Sequence, residues 1–261
     1  MPDSDLVQTK GLAMPRIEDC RQCPNRAQCV MGQVDASLQA LVRPLLLYQT
    51  RLSPGDVLIY PGMPFERLFL VRYGHFKTVL LGSEGQMHTA GLHGGGDVLG
   101  LDGLAEGEHQ CEVMALQYAS VCVFRFDQVC DLSLRVHGVQ QALLRALSRS
   151  MQRDWQQLLL LGSMDGEERV ASFLLMLRQR QATTAVDSDT LDLMMTREEI
   201  GNYLGMTLES VSRHLSQFQR RGWIRLDRRR VEIVQPTALQ DKRDRRQGKL
   251  SPRLMPMRMS A

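Results

Sequence analysis

The chain has 261 residues, 43% hydrophobic and 23% charged, a composition that excludes wholesale disorder, a collagen repeat and a coiled-coil rod. No apolar run approaches the ~18 residues a membrane span needs, and the acidic start Met-Pro-Asp-Ser-Asp is unlike a signal peptide, so a cytoplasmic protein is expected. The formal charge of +3 hides an asymmetry: residues 1–196 carry 17 basic and 22 acidic residues, a net of −5, and residues 197–261 carry 15 and 7, a net of +8. An acidic body with a basic end points to a polyanion at that end.

Residues 1–30 contain Cys20, Cys23 and Cys29 in the segment DCRQCPNRAQC. Three thiols within ten residues, spaced by polar residues and Pro24, form a loop that can wrap one metal centre. A four-coordinate site needs one more ligand, and Cys111, Cys122 and Cys130 are the remote candidates. Structural zinc sites usually present two short pairs of ligands, so three local thiols and one distant one favour an iron–sulfur cluster over zinc.

Residues 31–138 alternate short β-rich runs (VLIYPG, LFLVRYGHFKTVLL, MHTAGL, SVCVFRF) with glycine turns, and GSEGQ at 82–86 reads as a hairpin tip. An antiparallel β-barrel or jelly-roll is expected. HisGlyGlyGlyAsp at 93–97 lacks the helix and Lys of a phosphate cradle and reads as a turn. Between Arg72 and Arg125 the only basic residue is Lys77. A cyclic nucleotide's phosphate normally needs an Arg fork, so no such ligand is expected. His75, His88, His93 and His109 show no ligand spacing and read as ordinary polar residues.

The segment 139–165 is a long helix, rich in Leu, Ala, Gln and Arg. Leu144, Met151 and Leu158 recur every seven residues, as do Leu147, Asp154 and Leu161. That is an a/d seam for a homodimer. Asp154 would bring two carboxylates together there, a repulsion that Arg149 or Arg153 could relieve by pairing. The dimer is therefore expected to be weak and controllable.

Residues 166–236 begin with the helix EERVASFLLMLRQRQ and a polar linker, ATTAVDSDT. Thr196 and Glu199 then form a capping box for a short helix through Ile200 and Leu204, and Gly205 makes the turn. Thr207 caps a second helix to about Arg220, which Gly222 closes. At about 100° per residue, Leu208, Val211, Leu215 and Phe218 share one face, and Glu209, Ser212, Arg213 and Ser216 the other. Trp223–Leu226 and Val231–Val234 form a hairpin wing. This is a winged helix-turn-helix for DNA: Arg213 suits guanine, Glu209 suits cytosine and Ser212 is adaptable. Arg197, Arg220, Arg221, Arg228, Arg229 and Arg230 are candidate backbone contacts. The tail 237–261 is basic and Pro-broken, and is expected to be disordered.

These features together resemble the Crp–Fnr family of transcription regulators, of the Fnr, oxygen-responsive type. The resemblance covers about residues 15–236 and rests on the C-x2-C-x5-C segment, the β-roll, the long helix and TREEIGNYLGMTLESVSRHL at 196–215. It implies a non-enzymatic α+β regulator with a [4Fe–4S] cluster and Cys122 as fourth ligand. It also implies homodimers on palindromic promoter DNA that engage RNA polymerase and come apart when oxygen converts the cluster. Pro24 and Gln28 depart from the family's cysteine loop, and Cys111 remains a possible substitute ligand. A zinc-stabilised or thiol-redox regulator of the same fold is the alternative.

Overall fold

Strand alternation builds the N-terminal half. A computed structural model of the chain describes residues 20–82, 85–181 and 190–244. A short helix α1 (Gln39–Val42) leads into β1 (Leu46–Leu52), β2 (Val57–Ile59), β3 (Arg67–Tyr73), β4 (Phe76–Leu81), β5 (Met87–His93), β6 (Val98–Leu99), β7 (Glu112–Ala115) and β8 (Ala119–Arg125). They form two antiparallel sheets, ordered β1-β8-β3-β6 and β2-β7-β4-β5. Inward residues of both sheets, including Ile59, Phe69, Phe76, Val113, Val121 and Val123, fill the interior with apolar atoms. The expected jelly-roll is present. The β4–β5 hairpin confirms the placement of the 82–86 turn, although residues 83–84 lie outside the described residues.

Helix α2 (Phe126–Arg135) precedes the long helix α3 (His137–Ser163), which continues through Gly162. Then follow α4 (Gly166–Gln181), β9 (Thr190–Asp192), α5 (Arg197–Leu204), α6 (Leu208–Arg220), β10 (Ile224–Asp227), β11 (Arg230–Ile233) and α7 (Pro236–Asp244). The capping box at Thr196 and Glu199 closes in both directions, Gly205 takes φ 61°, and Thr207 caps α6 through the Ser210 N–H. The linker at 182–189 lies outside the described residues.

Three expectations need correction. The wing has a third strand, because β9 pairs with β11. Leu208 is exposed rather than part of the buried face of α6, which consists of Val211, Leu215 and Phe218. The tail begins as helix α7, not as disordered chain. Pro236 suits a first helical turn, Leu239 is fully buried, and Lys242 pairs with Glu167 at 2.7 Å. Residues 245–261 lie outside the described residues.

The two halves of the chain meet through Lys77. Its ammonium, nearly buried in β4, donates to Glu199 of α5 at 2.6 Å. Nearby, the Arg180 guanidinium of α4 donates to the Leu92 carbonyl of β5 at 2.8 Å. Burial works against a charged Glu199, but Lys77 and the Thr196 N–H and hydroxyl overcome it and hold the carboxyl below its ordinary range. A depressed carboxyl contributes stability above its unfolded pKa of about 4.3 and loses it as pH falls through the folded value. Glu199→Gln, which keeps a capping side chain, is expected to cost about 1–3 kcal/mol at pH 7. In urea denaturation the gap to wild type should close as the pH is lowered into the acid range; a pH-independent gap would contradict the assignment.

Candidate metal centre and nucleic-acid interface

The cysteine loop is a run of tight turns. Cys20–Gln22 is a single 3₁₀ turn, and Arg26 N–H donates to Cys23 O at 3.0 Å, Cys29 N–H to Asn25 O at 2.9 Å and Gln33 N–H to Cys29 O at 3.0 Å. At Gly32 a Cβ would stand 2.4 Å from the Arg26 carbonyl, so only glycine fits. The buried Gln39 amide fastens the loop's exit by donating to Met31 O at 2.9 Å and Val34 O at 2.8 Å. The loop rests on the glycine triplet 94–96, where a Cβ on Gly95 would collide with Asn25 and one on Gly96 with Gln28. The turn reading of 93–97 holds, since Asp97 accepts from Gly94 N–H at 3.0 Å. What the sequence did not disclose is that the bare glycines also make room for the cysteine loop.

Period-two alternation in β8 supplies the fourth thiol. Val121 and Val123 point into the roll, whereas Cys122 and Phe124 point to the other side, where Cys20 and Cys29 pack. Cys20, Cys23, Cys29 and Cys122 line one pocket together with Arg26, Gln49 and Leu70. Gln49 donates to Cys122 Sγ at 3.4 Å. Burial pushes the Cys29 thiol up to about 12 and the Cys122 thiol up to about 11, so a metal must displace protons to bind them.

Cys111 is elsewhere. It lies within the roll's core and donates to Asp102 at 3.2 Å, and His109 Nδ1 lies 3.2 Å from the same carboxylate. Burial, followed by the Asp102 charge, pushes the Cys111 thiol up to about 12. This corrects the idea that Cys111 can replace a ligand. Cys130 sits on α2 and does not line the pocket.

Among the described residues, no three His, Cys, Asp or Glu side chains are arranged to hold a metal ion. A single zinc requires sulfurs converging at ~2.3 Å on one point, whereas a cubane spreads its four thiolates around a larger body. The pocket's four thiols are a donor set that both a zinc ion and an iron–sulfur cluster accept.

The loop is tied to α3. Arg145 Nε donates to the Gln33 side chain at 3.2 Å and Arg149 to the Gln28 carbonyl at 3.2 Å, while Arg153 pairs with Asp97 at 2.8 Å. Arg149 and Arg153 therefore turn away from Asp154, correcting the pairing that would have relieved it. On the outward face Leu144, Met151 and Leu158 are 60%, 52% and 67% exposed; Asp154 and Leu161 are exposed as well, and Leu147 is half-buried. Trp155, missed in the seam, is 60% exposed and lies about 20° around the helix from Leu144.

At the basic end, Glu209 and Arg213 stand exposed on the first turns of α6, with Ser212 half-buried between them; Arg213 donates to Ser210 Oγ at 3.2 Å. Arg220, Arg228, Arg229 and Arg230 are exposed. Arg197 is half-buried and donates to the Arg228 carbonyl at 3.2 Å, bracing the wing. Arg221 departs from the phosphate-contact expectation, because its guanidinium is engaged by Glu167 and lies 4.9 Å from the Trp223 ring centroid.

Comparison with known proteins agrees with this architecture. Residues 49–134 match the model of the cyclic nucleotide-binding domain, and residues 168–242 that of the Crp-like helix-turn-helix domain. The chain is 37% identical over 228 residues to the transcriptional regulatory protein btr of Bordetella pertussis, covering 87% of this chain and 94% of that protein. It is 28% identical to the fumarate and nitrate reduction regulatory protein of Escherichia coli, covering 89% and 92%. The solved structure of FixK2 from Bradyrhizobium japonicum superposes with a TM-score of 0.67 at 26% identity, covering 74% of this chain and 95% of that one. No helix among the described residues is long and apolar enough to cross a membrane. With a jelly-roll, a long exposed-faced helix and a winged helix-turn-helix in this order, the chain belongs to the Crp–Fnr family, whose members are DNA-binding, dimeric transcription regulators and not enzymes.

Proposed function

We propose that this chain is a cytoplasmic oxygen-sensing regulator of the Fnr type. In this reading Cys20, Cys23, Cys29 and Cys122 hold a [4Fe–4S] cluster. The cluster-loaded protein dimerises along α3, binds a palindromic promoter site, engages RNA polymerase and activates or represses genes of anaerobic metabolism. The observation that carries the reading is the common pocket of these four thiols, with Cys111 committed to Asp102. When bound, the cluster supplies an oxygen-sensitive centre. The chain's own residues do the transmitting: Gln28 and Gln33 carry any change in the loop's shape to Arg149 and Arg145 on α3. The seam then consists of Leu144, Leu147, Met151, Asp154, Leu158 and Leu161, and Trp155 joins it on its exposure. Glu209, Ser212 and Arg213 read bases, with Arg197, Arg220 and Arg228–Arg230 along the backbone. No cyclic nucleotide enters the reading, since Lys77 is bound to Glu199 and the roll is packed with side chains.

Anaerobic purification should give a brown protein with about four irons per chain that bleaches in air. Cys122→Ala should abolish the colour, and Cys111→Ala and Cys130→Ala should keep it. A colourless protein with stoichiometric zinc would favour the alternative regulator. Asp154→Ala should move the metal-free protein from monomer towards dimer in sedimentation, because it removes an exposed carboxylate that has no relief from Arg149 or Arg153. Arg213→Ala should cost about 1–3 kcal/mol of binding and relax preference at one base pair; a uniform loss on all sequences would reduce Arg213 to a phosphate contact.

A further inference from the structure

A second cationic region lies apart from the DNA-facing end. Between the cysteine loop, the roll, α3 and α4 is a cleft of about 1070 Å³, large enough for a ligand of nucleotide size. Its walls carry Arg72, Arg149, Arg153 and Arg180, with Arg243 at the edge paired to Asp244 at 2.7 Å, and Asp97 is the one carboxylate among the lining residues. Arg153 takes that carboxylate at 2.8 Å, whereas Arg149 meets the neutral Gln28 carbonyl. A concave, one-signed surface with low-dielectric walls concentrates its field on an anion, and guanidinium forks match phosphate oxygens in shape and charge. The aromatic ring of Tyr118, 74% exposed, stands at the same cleft.

The cleft lies on the side of α3 away from the apolar stripe. At about 100° per residue, Arg149, Arg153 and Leu160 fall on the side of α3 opposite Met151, so the apolar stripe and the cationic wall face away from each other. The cleft is also separate from the roll's interior, which is filled by apolar side chains. Its walls include Gln28 of the cysteine loop and Tyr203 of α5, whose carbonyl accepts from Gln157 of α3 at 2.6 Å. A ligand there would touch the sensor and the DNA-binding half at once.

We propose that this cleft is a binding site for a small molecule carrying two or more phosphate groups, held by Arg149 and Arg153 and by the cationic wall around them. The test is calorimetric titration of the full-length protein with inorganic pyrophosphate. The expected result is saturable binding of one pyrophosphate per chain, weakened about tenfold or more by Arg149→Gln and by Arg153→Gln. Arg149→Gln keeps the test secure, because it removes only a bond to a carbonyl and leaves the Arg153–Asp97 pair intact. Arg43→Gln, at an exposed site outside the cleft, should not alter binding. Tighter binding of ADP that Tyr118→Ala reduces would support the site and identify a nucleotide as its ligand. Equal affinity for ADP and pyrophosphate would support a phosphate-only ligand. Absence of saturable binding, indifference to Arg149→Gln, or loss of the site in Arg228→Gln, which would put the anion on the wing, overturns the proposal.

Discussion

The parity of β8 is the constraint on which the rest of the structure depends. Side chains alternate faces along a strand, so Cys122 can reach the cysteine loop only if Val121 and Val123 fill the roll. A slip of one residue would bury the thiol in the core and expose two valines. The register is fixed on both edges, with Gln49 of β1 and Leu70 of β3 opposite Cys122. The apolar core and the thiol pocket are thus the two sides of one sheet, and the energy that closes the roll also fixes the fourth thiol.

From that sheet the structure passes to α3 through small polar ties. A hydrogen bond of this kind contributes about 0.5–1.5 kcal/mol net, and less where solvent competes, so the Arg145 and Arg149 bonds to the loop set position more than stability. The stronger driving force lies on the opposite side of the helix. Leu144, Met151, Trp155 and Leu158 each offer apolar surface, and full burial of such a side chain brings about 1.5–3 kcal/mol. In the proposed dimer, association would be driven by the stripe and tuned by the ties, with Asp154 at its border opposing contact.

Features set by neighbours in sequence were legible; those set by distant partners were not. The capping box at Thr196–Glu199, the glycine at 205 and the cap at Thr207 depend on three or four adjacent residues, and all three appear as read. Lys77 was visible as the one basic residue of its stretch, but its partner lies 122 residues away. Arg221 read as a phosphate contact because Glu167, 54 residues earlier, could not be seen to face it. Helix α7 was read as loose tail because its single buried anchor, Leu239, acquires meaning only against the core that contains α4. The heptad register found Leu144, Met151 and Leu158, but the direction in which α3 packs on its own body brings Trp155 into the exposed stripe.

The same distinction changes what the net charge of the basic end means. Of its cations, Lys242 is bound to Glu167, Arg221 is engaged by the same carboxylate, Arg225 pairs with Glu232 at 2.8 Å, and Arg197 braces the wing. Charges neutralised or braced inside the fold release few counterions from a polyanion, whereas exposed ones do so in proportion to their phosphate contacts. Arg213, Arg220, Arg228, Arg229 and Arg230 remain exposed on α6 and the wing. Meanwhile the nominally acidic body conceals arginines gathered along the cleft beside α3. Net charge per segment therefore indicated the end at which DNA would be met but overstated how much of its charge is available there, and it gave no sign of the cationic wall within the acidic half.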